Sequence, residues 1–171
     1  MEASTPDKFK LWYADVFYFL EHNTNKGSGA IIALMGIMPL YERWLDSQVG
    51  PNDKVAKIAL ISTDLQINDI LKTAKFWNVV RDGLCHSGSF FVESTTQQSK
   101  HWPDLPKIGL NKHYPAFPTF TIDPTTSKEV IIFNPWDVVA HILKKYEGNM
   151  SILEGVEAPL LPLSYEIPHT A

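Results

Sequence analysis

A chain of 171 residues is long enough to bury a core of its own and fits one domain with an elaboration. Hydrophobic residues make up 44% of the sequence and charged residues 20%, which excludes an intrinsically disordered protein. The formal net charge of −4 excludes a strongly basic nucleic-acid-binding protein, so an RNA site on this chain has to be a local basic patch.

Three further features of the sequence predict a cytoplasmic protein without a membrane partner. The single cysteine, Cys85, excludes an internal disulfide framework and suits a reducing compartment. The first 25 residues contain Asp15 and Glu21 and have no basic region before an apolar run, so they do not form a signal peptide. The apolar stretch 29–40 covers only about a dozen residues, against roughly 20 for a membrane span, and predicts a buried helix.

The first half of the chain predicts four helical segments joined by short turns, which is the pattern of an up-and-down bundle. The segments are residues 5–22, a helix that ends near Gln48 and is kinked at Pro39, a short helix from Asp53 to Ile61, and a long helix from Leu65 to about His86. Thr63 and Gln66 have the spacing of a capping box before the long helix.

Apolar residues at helical spacing predict which face of the first two helices is buried. In the first helix they are Phe9, Trp12, Tyr13, Val16, Phe17 and Leu20. In the second helix they are Ile31, Leu34, Met35, Met38, Tyr41 and Leu45, while Ile32, Ile37 and Trp44 lie outside the stripe. The second helix is therefore expected to meet neighbours on more than one side.

The second half of the chain differs from the first, because it predicts extended segments and a loop as well as a helix. Residues 87–94 are predicted to be extended, and 95–118 to form a polar, proline-rich loop. Thr119–Ile122 and Glu129–Phe133 predict a β-hairpin. Asn134 and Pro135 then begin a helix whose predicted apolar face is Trp136, Val139, Ala140 and Leu143, and the last twenty residues are expected to form an extended tail. Residues 91–171 are thus predicted to pack on a bundle formed by residues 1–90, as one structural unit.

Arg81, Asp82 and His86 lie together at the end of the long predicted helix. Asp82 and His86 are four residues apart, so they share one helix face, and the carboxylate can orient the imidazole and raise its basicity. Arg81 and His86 are five apart, which separates them by roughly 140° around a regular α-helix. These two side chains can converge only if the helix end is distorted or if a second copy of the chain supplies the partner.

This combination of side chains suits a phosphodiester substrate. A guanidinium can bind the non-bridging oxygens of phosphate with two hydrogen bonds and stabilise the charge of the transition state. The imidazole of His86 can accept a proton from a ribose 2′-hydroxyl or protonate the leaving 5′-oxygen. Chemistry of this kind requires neither a metal nor a cofactor, and none is predicted.

An arginine, a polar residue and a histidine at the end of a bundle helix resemble the R-x4-6-H motif of HEPN domains. Arg81 and His86 match the two fixed positions and Asp82 the polar one, and the resemblance covers roughly residues 5–90. It implies a mainly α fold: a helical bundle that forms a homodimer with the two motifs facing each other. It also implies a metal-independent endoribonuclease of a toxin–antitoxin, defence or RNA-processing system, with a cognate antitoxin as a further partner. Other members of the family only bind nucleotides.

The β-hairpin and the C-terminal helix depart from the minimal HEPN bundle. Lys72 and Lys75 lie upstream of Arg81 and extend a positive strip towards it, and Trp102 and Tyr114 offer a platform on which an unpaired base can stack. The alternative interpretation is that the lysines form a solvated face and that the aromatic residues pack the loop onto the bundle.

Other interpretations of the same residues stay open at this point. Arg81 could pair with an acid elsewhere in the fold while Asp82 and His86 form a surface pair. The chain would then be a non-catalytic module that binds RNA or nucleotide, or a protein-interaction subunit. Cys85 is poorly placed for activation by its neighbour His86, and His101, Asp104 and His113 do not have the spacing of a metal site. His22, His141 and His169 have no partner pattern and are expected at the surface.

Overall fold

The computed structural model describes residues 5–23, 28–86, 106–147 and 149–153. The helical elements are α1 (Thr5–Phe9), a π-helical turn π1 (Lys10–Ala14), α2 (Asp15–Asn23), α3 (Ser28–Val49), α4 (Lys54–Asp64), α5 (Ile70–Trp77), a second π-helix π2 (Asn78–His86), α6 (Pro135–Glu147) and a 3-10 helix (Met150–Leu153). The strands are β1 (Lys107–Leu110), β2 (Thr119–Ile122) and β3 (Glu129–Phe133). The fold is mainly helical with a small sheet, as predicted. The expected extended segment 87–94 lies outside the described residues. Of the expected extended tail, 152–171, residues 152 and 153 lie in the 3-10 helix and the rest lies outside the described residues.

Side-chain caps set where the helices begin. Asp53 accepts a hydrogen bond from the amide of Ala56 at 2.9 Å, and Asp69 accepts from Leu71 and Lys72 at 2.9 and 3.0 Å. The capping box predicted at Thr63 is wrong, because Thr63 lies inside α4 and donates its hydroxyl to the carbonyl of Ala59 at 3.3 Å.

The long helix therefore begins at Ile70 and not at Leu65. The connection between α4 and α5 contains two residues with left-handed backbone, Gln66 (φ 55°) and Asn68 (φ 56°). A regular right-handed helix cannot continue through such residues, so α4 and α5 are separate helices.

Helix α3 is the centre of the core, and α2, α4, π2 and α6 all contact it. The predicted stripe is correct for Leu34, Met38, Tyr41 and Leu45, which are fully buried together with Ile37. It is wrong for Met35, which is 39% exposed. The buried arc is wider than predicted because several elements, among them α6, which is distant in the sequence, pack on α3.

The first helix, formed by α1, π1 and α2 without a break, is buried on one side only. Phe9, Phe17 and Leu20 are buried as predicted, but Trp12 and Val16 are 44% and 45% exposed. The π turn at residues 10–14 shifts the angular positions that follow from regular α-helical spacing. The ring of Phe17 lies against Gly36, where a Cβ atom would come within 3.2 Å of it, so the first helix and α3 form a closely packed hairpin.

The sheet contains one strand more than the predicted hairpin. Its order is β1–β3–β2, with β2 antiparallel to β3 and β1 parallel to β3. The hairpin prediction is confirmed, and Asp123 stabilises its turn by accepting from the amide of Thr125 and the hydroxyl of Thr126, both at 2.8 Å. Strand β1 was predicted as part of a loop. Its four residues follow a proline and carry no alternating pattern of their own, and it is a strand because β3 pairs with it.

The sheet packs on α5 through one face, and α6 packs on α3. Ile131 and Phe133 of β3 are fully buried, and the ring of Phe133 meets Phe76 edge-on at 5.8 Å. Of the predicted apolar face of α6, Val139 is buried and Trp136 and Leu143 are partly buried against the core, whereas Ala140 is exposed. The buried residues are Pro135, Val138, Val139, Ile142 and Tyr146. The helix is rotated because the hydroxyl of Tyr146 reaches the carbonyl of Leu40 on α3, at 2.5 Å.

None of the helices in the described part of the chain combines the length and the apolar character that crossing a membrane requires.

The inner face of π2 generates a stability prediction. Val80 and Leu84 are fully buried, whereas Leu71 on α5 is 72% exposed. We expect Leu84→Ala to lower the free energy of unfolding by about 2–5 kcal/mol, because it leaves a cavity in the core. The matched change Leu71→Ala should cost less than about 0.5 kcal/mol, as exposed substitutions do. Urea denaturation of both variants measures the difference, and equal losses would show that π2 is not seated as described.

Candidate functional site

The candidate motif lies in π2, at the end of the continuous helix that α5 begins. In a π-helix the backbone hydrogen bonds join residues i and i+5, so positions five apart are about one turn apart. Arg81 and His86 have this spacing. Within one chain, these two positions can lie on the same side of the helix only if the helix end is distorted. The π-helix π2 is such a distortion. For Asp82, Cys85 and His86 the structure describes the backbone and not the side chain.

The guanidinium of Arg81 makes a two-pronged ion pair with Glu42 on α3. Nη2 of Arg81 lies 2.9 Å from Oε1 of Glu42, and Nε lies 3.2 Å from Oε2. The two side chains are 27% and 30% exposed, so the pair is reachable from solvent. The planar fork of the arginine matches the carboxylate, and this match fixes the plane of the guanidinium and ties π2 to α3.

One open interpretation of the sequence was that Arg81 pairs with an acid elsewhere in the fold. That acid is Glu42. A phosphate oxygen would have to share the guanidinium with this carboxylate or displace it. Because the pair is partly exposed, solvent weakens its Coulomb energy, and pairs of this kind contribute roughly 0–1 kcal/mol of stability. An anionic ligand with good geometry can therefore compete with Glu42.

The two lysines proposed as a positive strip are both directed to the sheet. Nζ of Lys75 lies 2.8 Å from Oε2 of Glu129 at the start of β3. Nζ of Lys72 lies 5.4 Å from the ring centre of Phe120 in β2, which is a cation–π contact. The carboxylate of Glu129 offsets the charge of Lys75, whereas the contact seen for Lys72 among the described residues is with an aromatic ring. The positive strip stays a prediction.

Tyr114 is placed on a different surface from Arg81. It forms one wall of an open groove of about 470 Å³ on the sheet. Neighbouring residues of a strand point to opposite faces, so Val130 and Ile132 line this groove while Ile131 and Phe133 face α5. Tyr114 thus lies on the sheet face opposite to α5. Trp102, the other member of the predicted stacking platform, lies outside the described residues.

A second polar cluster, which sequence reasoning missed, is centred on Asp64 at the end of α4. The hydroxyl of Tyr41 donates to Oδ2 of Asp64 at 2.7 Å, and Lys145 and His141 approach Oδ1 at 2.5 and 3.1 Å. The ammonium of Lys145 also lies 4.0 Å from the ring centre of Trp44. His141 was expected at the surface and is instead half-buried, with its ring edge-on to a phenylalanine.

The signal for this cluster in the sequence is weak. His141 and Lys145 are four residues apart and so share a face of α6, but nothing in the sequence connects them to an aspartate some eighty positions earlier. The cluster joins the ends of α4 and α6 to α3. Its partly buried hydrogen bonds hold these helices together.

The cluster perturbs the acid–base behaviour of its members. Burial opposes the ionisation of Asp64, but the hydrogen bonds from Lys145, Tyr41 and His141 outweigh it and lower the pKa of the Asp64 carboxyl below its ordinary value. Burial and the neighbouring Asp64 carboxylate raise the pKa of the Tyr41 phenol well above its ordinary value. Asp64 is therefore a carboxylate and Tyr41 a neutral donor throughout the neutral range.

Among the described residues, no group of three or more His, Cys, Asp and Glu side chains is arranged to hold a metal ion.

The lowered pKa of Asp64 predicts a pH dependence of stability. The pKa is lower in the folded than in the unfolded chain, where it is about 3.9, so the carboxylate stabilises the fold above that value and the contribution is lost as pH falls through the folded pKa. We expect Asp64→Asn to cost about 1–3 kcal/mol at pH 7, as lost hydrogen bonds to a charged group do. The deficit should shrink below a pH of about 4.

Thermal or urea unfolding between pH 3 and 7 measures this deficit, with Asp15→Asn on an exposed position of α2 as the control. The control variant should follow the wild type at every pH. A deficit of Asp64→Asn that does not change with pH would contradict the assignment of a stabilising carboxylate.

Comparison of the chain with protein-family models, with curated proteins and with solved structures finds no match. A functional proposal for this chain therefore depends on the geometry of the described residues.

Proposed function

We propose that this chain is a HEPN-type endoribonuclease that cleaves RNA through attack of a ribose 2′-hydroxyl, with Arg81, Asp82 and His86 as its motif. The observation that carries the proposal is π2. A π-helix is less stable than an α-helix, and where one occurs it is often at a functional site. Here it spans the motif and brings positions 81 and 86 to a separation of about one turn.

In the proposed reaction, Arg81 binds the scissile phosphate. The 2′-oxygen forms a bond to phosphorus, the bond from phosphorus to the 5′-oxygen breaks, and the product is a 2′,3′-cyclic phosphate with a free 5′-hydroxyl. The proton leaves the 2′-hydroxyl and a proton is given to the 5′-oxygen. The guanidinium stabilises the negative charge that grows on the non-bridging oxygens, His86 moves one of the two protons, and solvent water accepts or donates the other.

Glu42 enters this proposal as the residue that orients Arg81. Its two hydrogen bonds hold the guanidinium plane in one position before substrate binds, and orientation of this kind reduces the entropy that substrate binding must otherwise remove. The same carboxylate opposes an incoming phosphate by its charge. Glu42 is thus expected to weaken RNA binding while it improves the geometry of the bound complex.

The Arg81–Glu42 pair also favours a second candidate function. An arginine whose charge is matched by a carboxylate can be a purely structural tie between π2 and α3. In that case the chain is a binding module for RNA or nucleotide, or an interaction subunit that meets a cognate antitoxin. The two functions differ in one property, because only the first cleaves RNA.

The role of Glu42 can be tested by binding. We expect Glu42→Gln to tighten binding of a single-stranded RNA, because the Glu42 carboxylate then no longer competes with phosphate for the guanidinium of Arg81, and to slow cleavage of the bound RNA. The matched control is Asp46→Asn, one turn further along α3, which removes the same charge from an aspartate paired with Lys57. Fluorescence anisotropy at fixed salt measures both. Equal affinity changes in the two variants would show that the effect comes from net charge alone. That result would contradict the assignment of Arg81 to the RNA site.

Cleavage decides between the two functions. We expect the wild-type chain to cut single-stranded RNA in the presence of EDTA and to leave 2′,3′-cyclic phosphate ends. A 2′-deoxy residue at the scissile position should block cutting without blocking binding, because it removes the attacking hydroxyl. His86→Ala should lose cleavage by about 100-fold or more, as the loss of a general acid–base does, and keep most of the binding.

Two further variants separate charge from geometry in the same assay. Arg81→Lys retains the positive charge and loses the two-pronged hydrogen bonding, so it should bind RNA and cleave it more slowly. Asp82→Asn should lower the rate less than His86→Ala, since it alters only the orientation and basicity of the imidazole. Wild-type protein that binds RNA and leaves a broad RNA panel intact would establish the binding module in place of the nuclease.

A further inference from the structure

The first helix (5–23) exposes an apolar surface in addition to the side that packs into the core. Five of its large hydrophobic side chains are between 44% and 64% exposed: Leu11, Trp12, Val16, Tyr18 and Phe19. We call these five residues the first-helix surface. An aromatic side chain buries about 150–250 Å², so the three half-exposed rings offer on the order of 300 Å² of apolar area. Exposed apolar patches of this size are often binding sites.

The aromatic character of this surface indicates the kind of ligand that fits it. Aromatic-lined surfaces bind proline-rich segments, whose polyproline II conformation loses little entropy on binding. Val16 and Phe19 lie on the same side of α2, and Trp12 lies about one turn before Val16. The ring of Tyr18 stacks on the ring of His22, with 4.1 Å between the ring centres, which fixes its orientation. An aromatic row of this kind suits proline and leucine side chains.

The chain carries a segment of this class after its last described helix. Residues 154–171 contain the sequence PLLPL at positions 159–163, which has the P-x-x-P spacing. Polyproline II has three residues per turn, so the two prolines of such a sequence would lie on one side and two of its leucines on the next. The stretch 158–165 contains no charged residue. This sequence is therefore chemically matched to the first-helix surface.

The described chain ends beside the start of the first helix. The ring of Tyr146, near the end of α6, stacks on the ring of Phe9 with 5.5 Å between the ring centres. The 3-10 helix that follows contacts α1, α3 and α6, and its Ile152 and Leu153 pack against the core. Residues 154–171 are therefore attached next to the end of the first helix at which the first-helix surface begins.

The length of this segment is sufficient to cover the first-helix surface. Leu11 and Phe19 are eight residues apart, which is on the order of 12 Å along a helix. Polyproline II rises about 3.1 Å per residue, so residues 159–163 cover this distance. Residues 154–158 can bridge up to roughly 16 Å between Leu153 and the proline-rich part.

The order of charges favours the same placement. Glu154 and Glu157 precede the proline-rich part. Lys10, which is exposed, precedes Leu11 at the start of the first-helix surface. The uncharged stretch that follows Glu157 then passes the exposed Asp15 without bringing a second carboxylate to it. Opposite charges thus meet where the contact begins, and like charges are kept apart along it.

We propose that residues 154–171 bind across the first-helix surface of their own chain, with residues 159–163 against Trp12, Val16 and Phe19. The chain then carries both a docking surface for a P-x-x-P segment and the segment that occupies it. Attachment through Leu153 gives the segment an effective concentration on the order of 1 mM at the surface, so another protein can use the surface only by displacing it. This contact is independent of the reaction at the Arg81–Glu42 pair.

Disulfide formation in the full-length chain tests the contact. In a Cys85→Ser background, Phe19→Cys combined with Leu160→Cys or with Leu161→Cys should give a disulfide within one chain on mild oxidation, because the proposal places these positions side by side. The matched control replaces Phe19→Cys by Val55→Cys, since Val55 on α4 is 82% exposed and lies outside the first-helix surface. The control pairs should stay reduced. Non-reducing electrophoresis and mass spectrometry at low micromolar concentration measure the products.

A peptide competition tests the same contact without cysteines. The probe is a fluorescent synthetic peptide with the sequence of residues 154–171. It should bind full-length Leu160→Glu/Leu161→Glu about tenfold or more tighter than wild type, because in wild type the chain's own segment competes at high effective concentration. Adding Phe19→Glu to this variant should abolish peptide binding, whereas adding Val55→Glu should not. Circular dichroism on each variant separates loss of binding from loss of the fold.

Three outcomes would overturn the proposal. The first is disulfide formation that is no greater for the Phe19→Cys pairs than for the Val55→Cys pairs. The second is disulfides that join two chains instead of closing within one, because a second copy would then supply the segment. The third is a peptide that binds wild type as tightly as Leu160→Glu/Leu161→Glu, or that binds neither protein.

Discussion

The packing of α3 is the constraint on which the other parts of this structure depend. Its buried residues, among them Leu34, Ile37 and Tyr41, meet α2, α4, π2 and α6 on different sides. Polar contacts then set the register of these neighbours. The hydroxyl of Tyr146 donates to the carbonyl of Leu40. Asp64 bonds to Tyr41 on α3 and to His141 and Lys145 on α6. Because buried polar groups are costly to leave unpaired, these contacts allow few alternative arrangements of α6 on α3.

The candidate site is built on the same helix. Glu42 lies one residue after the buried Tyr41 and therefore at the margin of the core, where a carboxylate can meet a guanidinium and remain accessible to solvent. Arg81 has the corresponding position on π2, one residue after the buried Val80. The site is thus a pair of charged side chains at the edge of the apolar contact between α3 and π2. Its precision comes from the core residues beneath it, and the wider turn of π2 determines how near position 86 comes to position 81.

Local sequence determined the helices, the β2–β3 hairpin and the start of α6 at Asn134, because periodicity, caps and turn residues act over only a few positions. The tertiary structure decided what depends on distant contacts: strand β1, which exists because β3 pairs with it, and the rotation of α6, which Tyr146 sets by reaching α3. It also decided the partner of Arg81. The sequence contains nineteen acidic residues, and only the packing of π2 on α3 selects Glu42 among them.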